Sequence, residues 1–480
     1  MLKGIAGSVI LASAYVLALG SIVHFEQERS LGAGGLAAAL RSHDVHVVQR
    51  AELAIGRTKQ PAGVPLLLAR SHDNSTGVRA LAIYGLGLVG TPSCAPAVVG
   101  ALRDGQAVVR IAALDAAARL ETAHGFGAAE PAAARETAAL LRAGSATVRA
   151  RAATALEAFS TGSQAAFAAS RLTQAYARER DADVRGHIAW TLFRGYAKRA
   201  PLAALKTELT DPDEIVRIEA ARALGKRGAR SGIPLLAPLT RDASWRVQEQ
   251  ALESLKVLRG GKPAEHLKAI APGIHLPPRV RDPFAGVKAL ARAPHRGKYG
   301  PPQAEKIIPV PAFSVRSAAQ FTGPQPGPHP RMRIVTTQGN IYIELYPEWA
   351  PLTVENFMNL ASGGYYDNNP WFRIVPDFVV QSGDPSANAP GVGYTTVAEE
   401  NPIEQSSYII AMGLDYTNPP NAHAKRDSAG SEFYITLSPQ FHLNRDFSVF
   451  GRMIGGFDVL PRLVESDKIL RIERLPDASS

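Results

Sequence analysis

Residues 372–384 read Phe-Arg-Ile-Val-Pro-Asp-Phe-Val-Val-Gln-Ser-Gly-Asp, a largely apolar stretch whose polar residues are Arg373, Asp377, Gln381, Ser382 and Asp384. Its β-branched and aromatic residues predict a strand over residues 371–381. An arginine among the apolar residues of such a strand is rarely buried without a partner. Arg373 is therefore the first candidate functional residue.

The sequence on both sides of this run also indicates strands. Apolar residues alternate with a period of two over 332–336 and 341–345, and a Gln-Gly-Asn turn between them predicts a hairpin. A helix follows, beginning near Pro351 and ending at Gly363. Further elements are predicted beyond the run: strands at 407–412, 432–437 and 448–453, and a second helix after Gly455-Gly456. This order predicts a mainly antiparallel β-barrel with two helices over residues 331–480.

Six blocks of this region occur in the order found in one known family. They are Gly339–Leu345, Thr353–Phe357, Gly364–Asp367, residues 372–384, Ser428–Ile435 and Val449–Arg452. Together they resemble the cyclophilin family of peptidyl-prolyl isomerases. The resemblance implies a cyclophilin-like barrel that isomerises the bond before proline in client proteins.

The resemblance also implies the roles of individual residues. Isomerisation needs no nucleophile, metal or cofactor; it needs a fixed donor that favours the twisted amide. By the family motif, Arg373 is that donor and Gln381 orients its guanidinium. The matched substrate-binding residues are Phe378, Val379, Gly413, Glu432, Tyr434, His442 and Leu443.

Several positions depart from the family pattern. Glu432 stands where glutamine is usual, Tyr434 where phenylalanine is commoner and His442 where eukaryotic members have tryptophan, while the segment 413–431 is longer than usual. A carboxylate at 432 could hold Arg373 in place, or it could compete with the substrate for the guanidinium. We favour the second consequence.

Before the barrel, a short pattern repeats along residues 30–258. Valine followed by Arg or Gln, with a small or apolar residue four positions on and more at seven and eight, recurs at Val48, Val78, Val109, Val148, Val184, Val216 and Val247, although the first unit has Glu52 at the small position. A period of this length predicts stacked helix pairs. The units resemble HEAT repeats of the short bacterial kind, which implies an all-α solenoid that binds a protein partner. The arginine after most of these valines is expected to bond the acid or carbonyl groups of neighbouring loops.

The two predicted bodies differ in charge and are joined by a proline-rich segment. Residues 259–330 contain 14 of the 35 prolines and predict an extended basic linker. The chain carries a net charge of +10, whereas residues 331–480 hold 11 basic and 18 acidic side chains. The basic part lacks a nucleic-acid motif, so we expect no nucleic-acid partner. The single cysteine, Cys94, is expected to be a small buried residue.

The first 25 residues predict export. Gly4–Val23 carries no charge and follows Lys3, as in a secretory signal cleaved before Ser21 or an uncleaved single-span anchor. Either would place the protein in the periplasm or cell envelope. A buried first helix of the next domain is the alternative.

Two functions are compatible with this organisation. The first is an exported isomerase and folding helper, whose solenoid recruits client proteins that contain proline. The alternative is a non-catalytic scaffold that binds proline-containing segments through a degenerate isomerase pocket. Arg373 favours the enzyme and Glu432 favours the binder.

Overall fold

A computed structural model describes residues 20–123, 125–259, 329–375, 377–383, 392–415 and 426–476. These residues fall into two compact units. Residues 20–60 group with 329–476 and form the barrel unit, and residues 61–259 form the repeat unit. The predicted linker, apart from Arg259 and the last two residues, and the first 19 residues of the predicted export segment lie outside the described residues.

The repeat unit consists of helix pairs, as the sequence predicted. The pairs are Val64–Arg70 with Thr76–Val89, Ala95–Ala101 with Ala107–Ala123, Glu130–Ala139 with Ala146–Ala155, Ala165–Tyr176 with Ala182–Tyr196, Leu202–Glu208 with Glu214–Arg227, and Ile233–Leu236 with Trp245–Arg259. Each of the seven repeat valines is 2% exposed or less. Cys94 is also buried. The valine stripe is therefore the face on which the helices pack.

The repeat arginines bond neighbouring loops, which confirms their predicted structural role. Arg217 donates to Asp242 in the next unit at 2.8 Å and to the carbonyl oxygen of Asp211 in its own preceding turn at 2.7 Å. Arg79 with Asp104, Arg149 with Glu179 and Arg185 with Asp211 repeat this pairing. The arginines thus join each helix pair to the next one.

The barrel unit contains an eight-stranded sheet in which every neighbouring pair is antiparallel. Its strands are β1 (Arg331–Thr336), β2 (Gly339–Leu345), β3 (Arg373–Val375), β4 (Val379–Ser382), β5 (Ile409–Met412), β6 (Phe433–Thr436), β7 (Val449–Gly455) and β8 (Ile469–Arg474). In the sheet they lie in the order β3-β4-β6-β5-β7-β2-β1-β8. A bridge between Pro370 and Lys468 joins the two edges, next to β3 and β8. The helix Pro351–Ser362 places Phe357 in the aromatic core beside Phe433 and Phe450.

The region predicted as one strand over 371–381 is a hairpin instead. Strands β3 and β4 are separated by a turn in which Asp377 has φ 51° and the Phe378 amide donates to the Val375 carbonyl. Aspartate tolerates this left-handed conformation better than most residues. Where a second helix was expected after Gly456, the chain makes one 3-10 turn, Leu460–Arg462, that contains Pro461. Strand β8 follows it and was not predicted.

The N-terminal residues of the barrel unit form a buried ionic cluster with the barrel. Residues 20–27 are helical, and Glu26 pairs with both Arg50 and Arg57 of the helix Val45–Thr58. All three side chains are fully buried. Arg57 also donates to the carbonyl oxygens of Trp349 at 2.6 Å and Glu400 at 2.8 Å. The first predicted repeat therefore belongs to the barrel unit, and the unit that holds the other repeats begins at Pro61.

The same cluster continues to one end of the long 413–431 segment. Lys59 and Arg426 both pair with Glu400, each with one nitrogen 2.9 Å from a carboxylate oxygen. Arg29 pairs with Asp427. Burial opposes ionisation of Glu400, but Lys59 and Arg426 outweigh it and hold the pKa of Glu400 well below its usual range. Residues 29–59 thus fix the base of this segment.

Within the part of the chain that the structure describes, no helix is long and apolar enough to cross a membrane.

Candidate active site

Strand register brings the candidate residues to one face of the sheet. Arg373 on β3 lies opposite Gln381 on β4, which lies opposite Tyr434 on β6. Directly opposed residues of antiparallel strands point to the same face, as do residues two apart on one strand. Val379 therefore shares this face, while Val380 and Ile435 point into the buried core on the other side.

A chain of hydrogen bonds connects the polar members of the site. Arg373 donates from Nη1 to Oε1 of Gln381 at 3.3 Å. Gln381 in turn donates from Nε2 to Oε2 of Glu432 at 2.7 Å. The amide of Gln381 thus lies between the guanidinium of Arg373 and the carboxylate of Glu432. Through this amide, Glu432 influences the orientation of Arg373.

Aromatic rings line one side of the guanidinium. Its carbon lies 5.3 Å from the centre of the Phe378 ring, within the range of a cation–π contact. The Phe378 ring stacks on His442 with centroids 5.9 Å apart and planes 15° from parallel. Arg373 is half-buried, so these contacts restrict its orientation while it stays accessible.

Tyr434 forms the buried floor of the site with Val379 and Leu443. Each of the three side chains is 6% exposed or less. The Tyr434 hydroxyl donates to Oε1 of Gln405 at 3.1 Å, and its ring meets Phe447 edge to face. The Tyr434 hydroxyl, which phenylalanine lacks, therefore has a hydrogen-bond partner, and the ring still contributes apolar surface to the floor. Sequence reasoning missed Gln405 and Phe447, and no local pattern marks Gln405.

Gly413 completes the site beside Glu432. A Cβ atom at Gly413 would lie 2.9 Å from Cβ of Glu432 and 3.2 Å from Nε2 of Gln381. The Gly413 amide also donates to the backbone carbonyl of Glu432 at 2.7 Å. A side chain would therefore displace the Gln381–Glu432 pair. Six of the nine predicted site residues thus form one connected group of contacts that runs from Gly413 through Arg373 to His442. Val379 and Tyr434 share the sheet face of Arg373, and Leu443 follows His442 in the chain.

This arrangement suits a rotation about an amide bond. A twisted X–Pro amide loses its resonance, and a fixed donor stabilises the electron pair that becomes localised on its nitrogen. The guanidinium of Arg373 supplies such a donor beside the apolar floor that can hold a proline ring. No covalent step is required, because the barrier of ~18–20 kcal/mol comes from lost resonance.

Comparison with known proteins identifies the family. The family described as cyclophilin type peptidyl-prolyl cis-trans isomerase matches residues 331–474, and HEAT repeats match residues 201–272. The peptidyl-prolyl cis-trans isomerase ppi1 of Schizosaccharomyces pombe is 37% identical over 132 residues, which cover 28% of this chain and 83% of that protein. The isomerase B of Bacillus subtilis is 38% identical over 138 residues, 28% of this chain and 90% of that protein. The chain therefore belongs to the cyclophilin-type isomerase family.

A solved structure is also similar to part of this chain. The cyclophilin-type isomerase of Cryptosporidium parvum is 26% identical, with a TM-score of 0.28, over 31% of this chain and 99% of that protein. The family matches by themselves assign residues 331–474 to a cyclophilin-type isomerase domain, preceded by HEAT repeats.

Proposed function

We propose that the protein isomerises X–Pro bonds in client proteins and that its repeat unit binds those clients or a partner. The observation that carries this proposal is the Arg373–Gln381 pair beside the apolar floor of Val379, Tyr434 and Leu443. The pair is held by strand register and by the Phe378 ring, so the donor needs little reorganisation when the amide twists. Preorganised donors of this kind supply much of the rate enhancement in many enzymes.

The repeat unit supports the second half of the proposal through its architecture. Stacked helix pairs present an extended surface, and such arrays generally act as binding scaffolds. The isomerase pocket recognises little more than a proline and its neighbours. A separate binding surface would increase the effective concentration of a client near that pocket.

A non-catalytic role is the second candidate, and Glu432 is the observation that favours it. Its carboxylate bonds the amide that orients Arg373 and places a negative charge near the donor. This charge weakens the field that the guanidinium exerts on a substrate carbonyl.

Replacement of Glu432 by glutamine is expected to raise kcat/KM on a prolyl peptide. The Oε1 atom of a glutamine can still accept the bond from Gln381, so the orientation is kept while the negative charge is lost. Glu432→Ala is the matched control, because it removes both the negative charge and the acceptor of the Gln381 amide. This variant is expected to lower activity. Rates from NMR exchange spectroscopy would decide. A glutamine variant slower than wild type would show that the carboxylate orients the site productively.

The proposed location is the periplasm or cell envelope, and it rests on the uncharged stretch Gly4–Val23. A fusion of residues 1–60 to a reporter that is active only outside the cytoplasm is expected to give signal. An intact but silent fusion protein would refute export.

A further inference from the structure

A groove rich in arginine lies in the middle of the repeat unit. The helices Glu130–Ala139 and Ala165–Tyr176, with the turns that follow them, enclose about 660 Å³. Six arginines line it: Arg135, Arg142, Arg149, Arg171, Arg178 and Arg180. Glu179 is the acidic residue among the lining side chains. We name this feature the arginine groove.

Most of this positive charge is not neutralised. Glu179 pairs with Arg149 at 2.7 Å, and Arg171 lies over the Phe167 ring. The other four arginines are exposed, and no carboxylate of the described residues forms an ion pair with them. Four guanidinium groups thus face solvent around one concave surface.

The repeat pattern itself changes at the groove. Five residues before the repeat valine, five of the units in the described residues 61–259 carry an acid: Asp73, Asp104, Glu179, Asp211 and Asp242. The unit at the groove has Ala143 instead, and Ala143 lines the groove. The arginine of the preceding unit, Arg110, donates to the carbonyl oxygen of Asp104 at 2.6 Å, and its buried Nε atom has no hydrogen-bond partner among the described residues. An acid that would stabilise the array and neutralise the groove is therefore missing at this one place.

The two helices that form the groove are also longer than their counterparts. They have 10 and 12 residues, whereas Val64–Arg70, Ala95–Ala101 and Leu202–Glu208 have 7 each. Additional residues within single repeats commonly build the binding face of such arrays. The longer helices, the unpaired arginines and the missing acid thus all belong to the same two repeat units.

We propose that the arginine groove binds an acidic segment of a partner polypeptide, which deepens the proposed role of the repeat unit as a scaffold. Guanidinium groups bind carboxylates with two parallel hydrogen bonds, as Arg149 and Glu179 already do here. Between the arginines, the half-buried Phe167 offers apolar surface for side chains that separate the acids. The arginines surround one pocket and do not form a stripe, which favours a peptide over a nucleic-acid backbone.

The test is binding of a fluorescein-labelled, proline-free peptide in which glutamate and leucine alternate, measured by anisotropy with the full-length chain. Absence of proline separates this binding from the isomerase pocket. Arg142→Glu with Arg178→Glu is expected to weaken binding by about tenfold or more, since two attractions become repulsions. Ala143→Asp is expected to weaken it less, because the new acid would also pair with Arg110.

The matched control is Arg230→Glu with Arg241→Glu, which changes the net charge equally. Both residues are exposed and lie outside the groove, and Arg241 occupies the same repeat position as Arg142. Unchanged binding in this control supports the proposal, whereas equal weakening in both double variants would refute it. The proposal would also be overturned if a peptide with glutamine in place of glutamate bound as tightly as the probe. The same holds if single-stranded DNA displaced the probe at lower concentrations than the unlabelled peptide does. A wild-type chain that binds the probe but does not accelerate prolyl isomerisation would refute only the proposed catalysis.

Discussion

Replacement of Arg373 by alanine is expected to lower kcat/KM on a prolyl peptide by about 10²–10³, the typical cost of removing one preorganised donor. Peptide affinity should fall little, because the apolar floor of Val379, Tyr434 and Leu443 remains in place. Chymotrypsin-coupled kinetics would measure the rate, and titration calorimetry the affinity.

Two further variants sharpen this test. Arg373→Lys keeps the charge but loses the planar fork that bonds Gln381, so its activity should lie between wild type and alanine. Arg471→Ala removes an exposed arginine of the same unit and should leave kcat/KM unchanged. Equal losses of activity and affinity in Arg373→Ala would make Arg373 a binding residue without a specific role in the transition state.

Replacement of Arg57 by methionine is expected to reduce the free energy of unfolding of the barrel unit by about 3–5 kcal/mol, as is typical when one partner of a buried ion pair is removed. The substitution leaves Glu26 with Arg50 alone and deprives the Trp349 and Glu400 carbonyls of a donor. Arg462→Met is the control, since the Arg462–Asp458 pair is exposed and such pairs contribute about 0–1 kcal/mol. Denaturant unfolding followed by fluorescence would measure the free energy of unfolding of both variants. A loss in Arg57→Met as small as that in Arg462→Met would contradict a stabilising role of the buried cluster.

The same variant should change how stability depends on pH. Burial opposes ionisation of Glu26, but Arg50 and Arg57 outweigh it and lower its pKa. A carboxylate with a lowered pKa in the folded state stabilises the fold above its unfolded pKa of 4.5 and loses this contribution as the pH falls through the folded value. Wild type should therefore lose more stability than Arg57→Met below about pH 4.5.

Residues with local patterns were the ones that the sequence predicted well. The repeat valines and their arginines follow from helical periodicity, and the structure places them as expected. Arg373 and Gln381 were identified through a family motif, and the hairpin register then explains why they meet. The turn at Asp377 was missed because the apolar residues on both sides favoured one strand, although Pro376-Asp377 is itself a turn signal.

The contacts of the N-terminal residues could not be predicted in the same way. Arg50 and Arg57 have the spacing of ordinary helix residues, and nothing near them indicates that Arg57 bonds a carbonyl 343 positions away. The buried carboxylate of Glu400 likewise pairs with Lys59, which lies outside residues 331–480. Long-range ionic contacts of this kind leave no periodic signal in the sequence.

Catalysis by Arg373 is tested most directly by the rate of cis–trans exchange in a short X–Pro peptide, measured by NMR with full-length wild type and with Arg373→Ala. Wild type is expected to accelerate exchange catalytically, and the alanine variant is expected to bind the peptide but to accelerate exchange at least about a hundredfold less. A wild-type protein that binds the peptide and leaves its exchange rate unchanged would contradict the proposed catalysis.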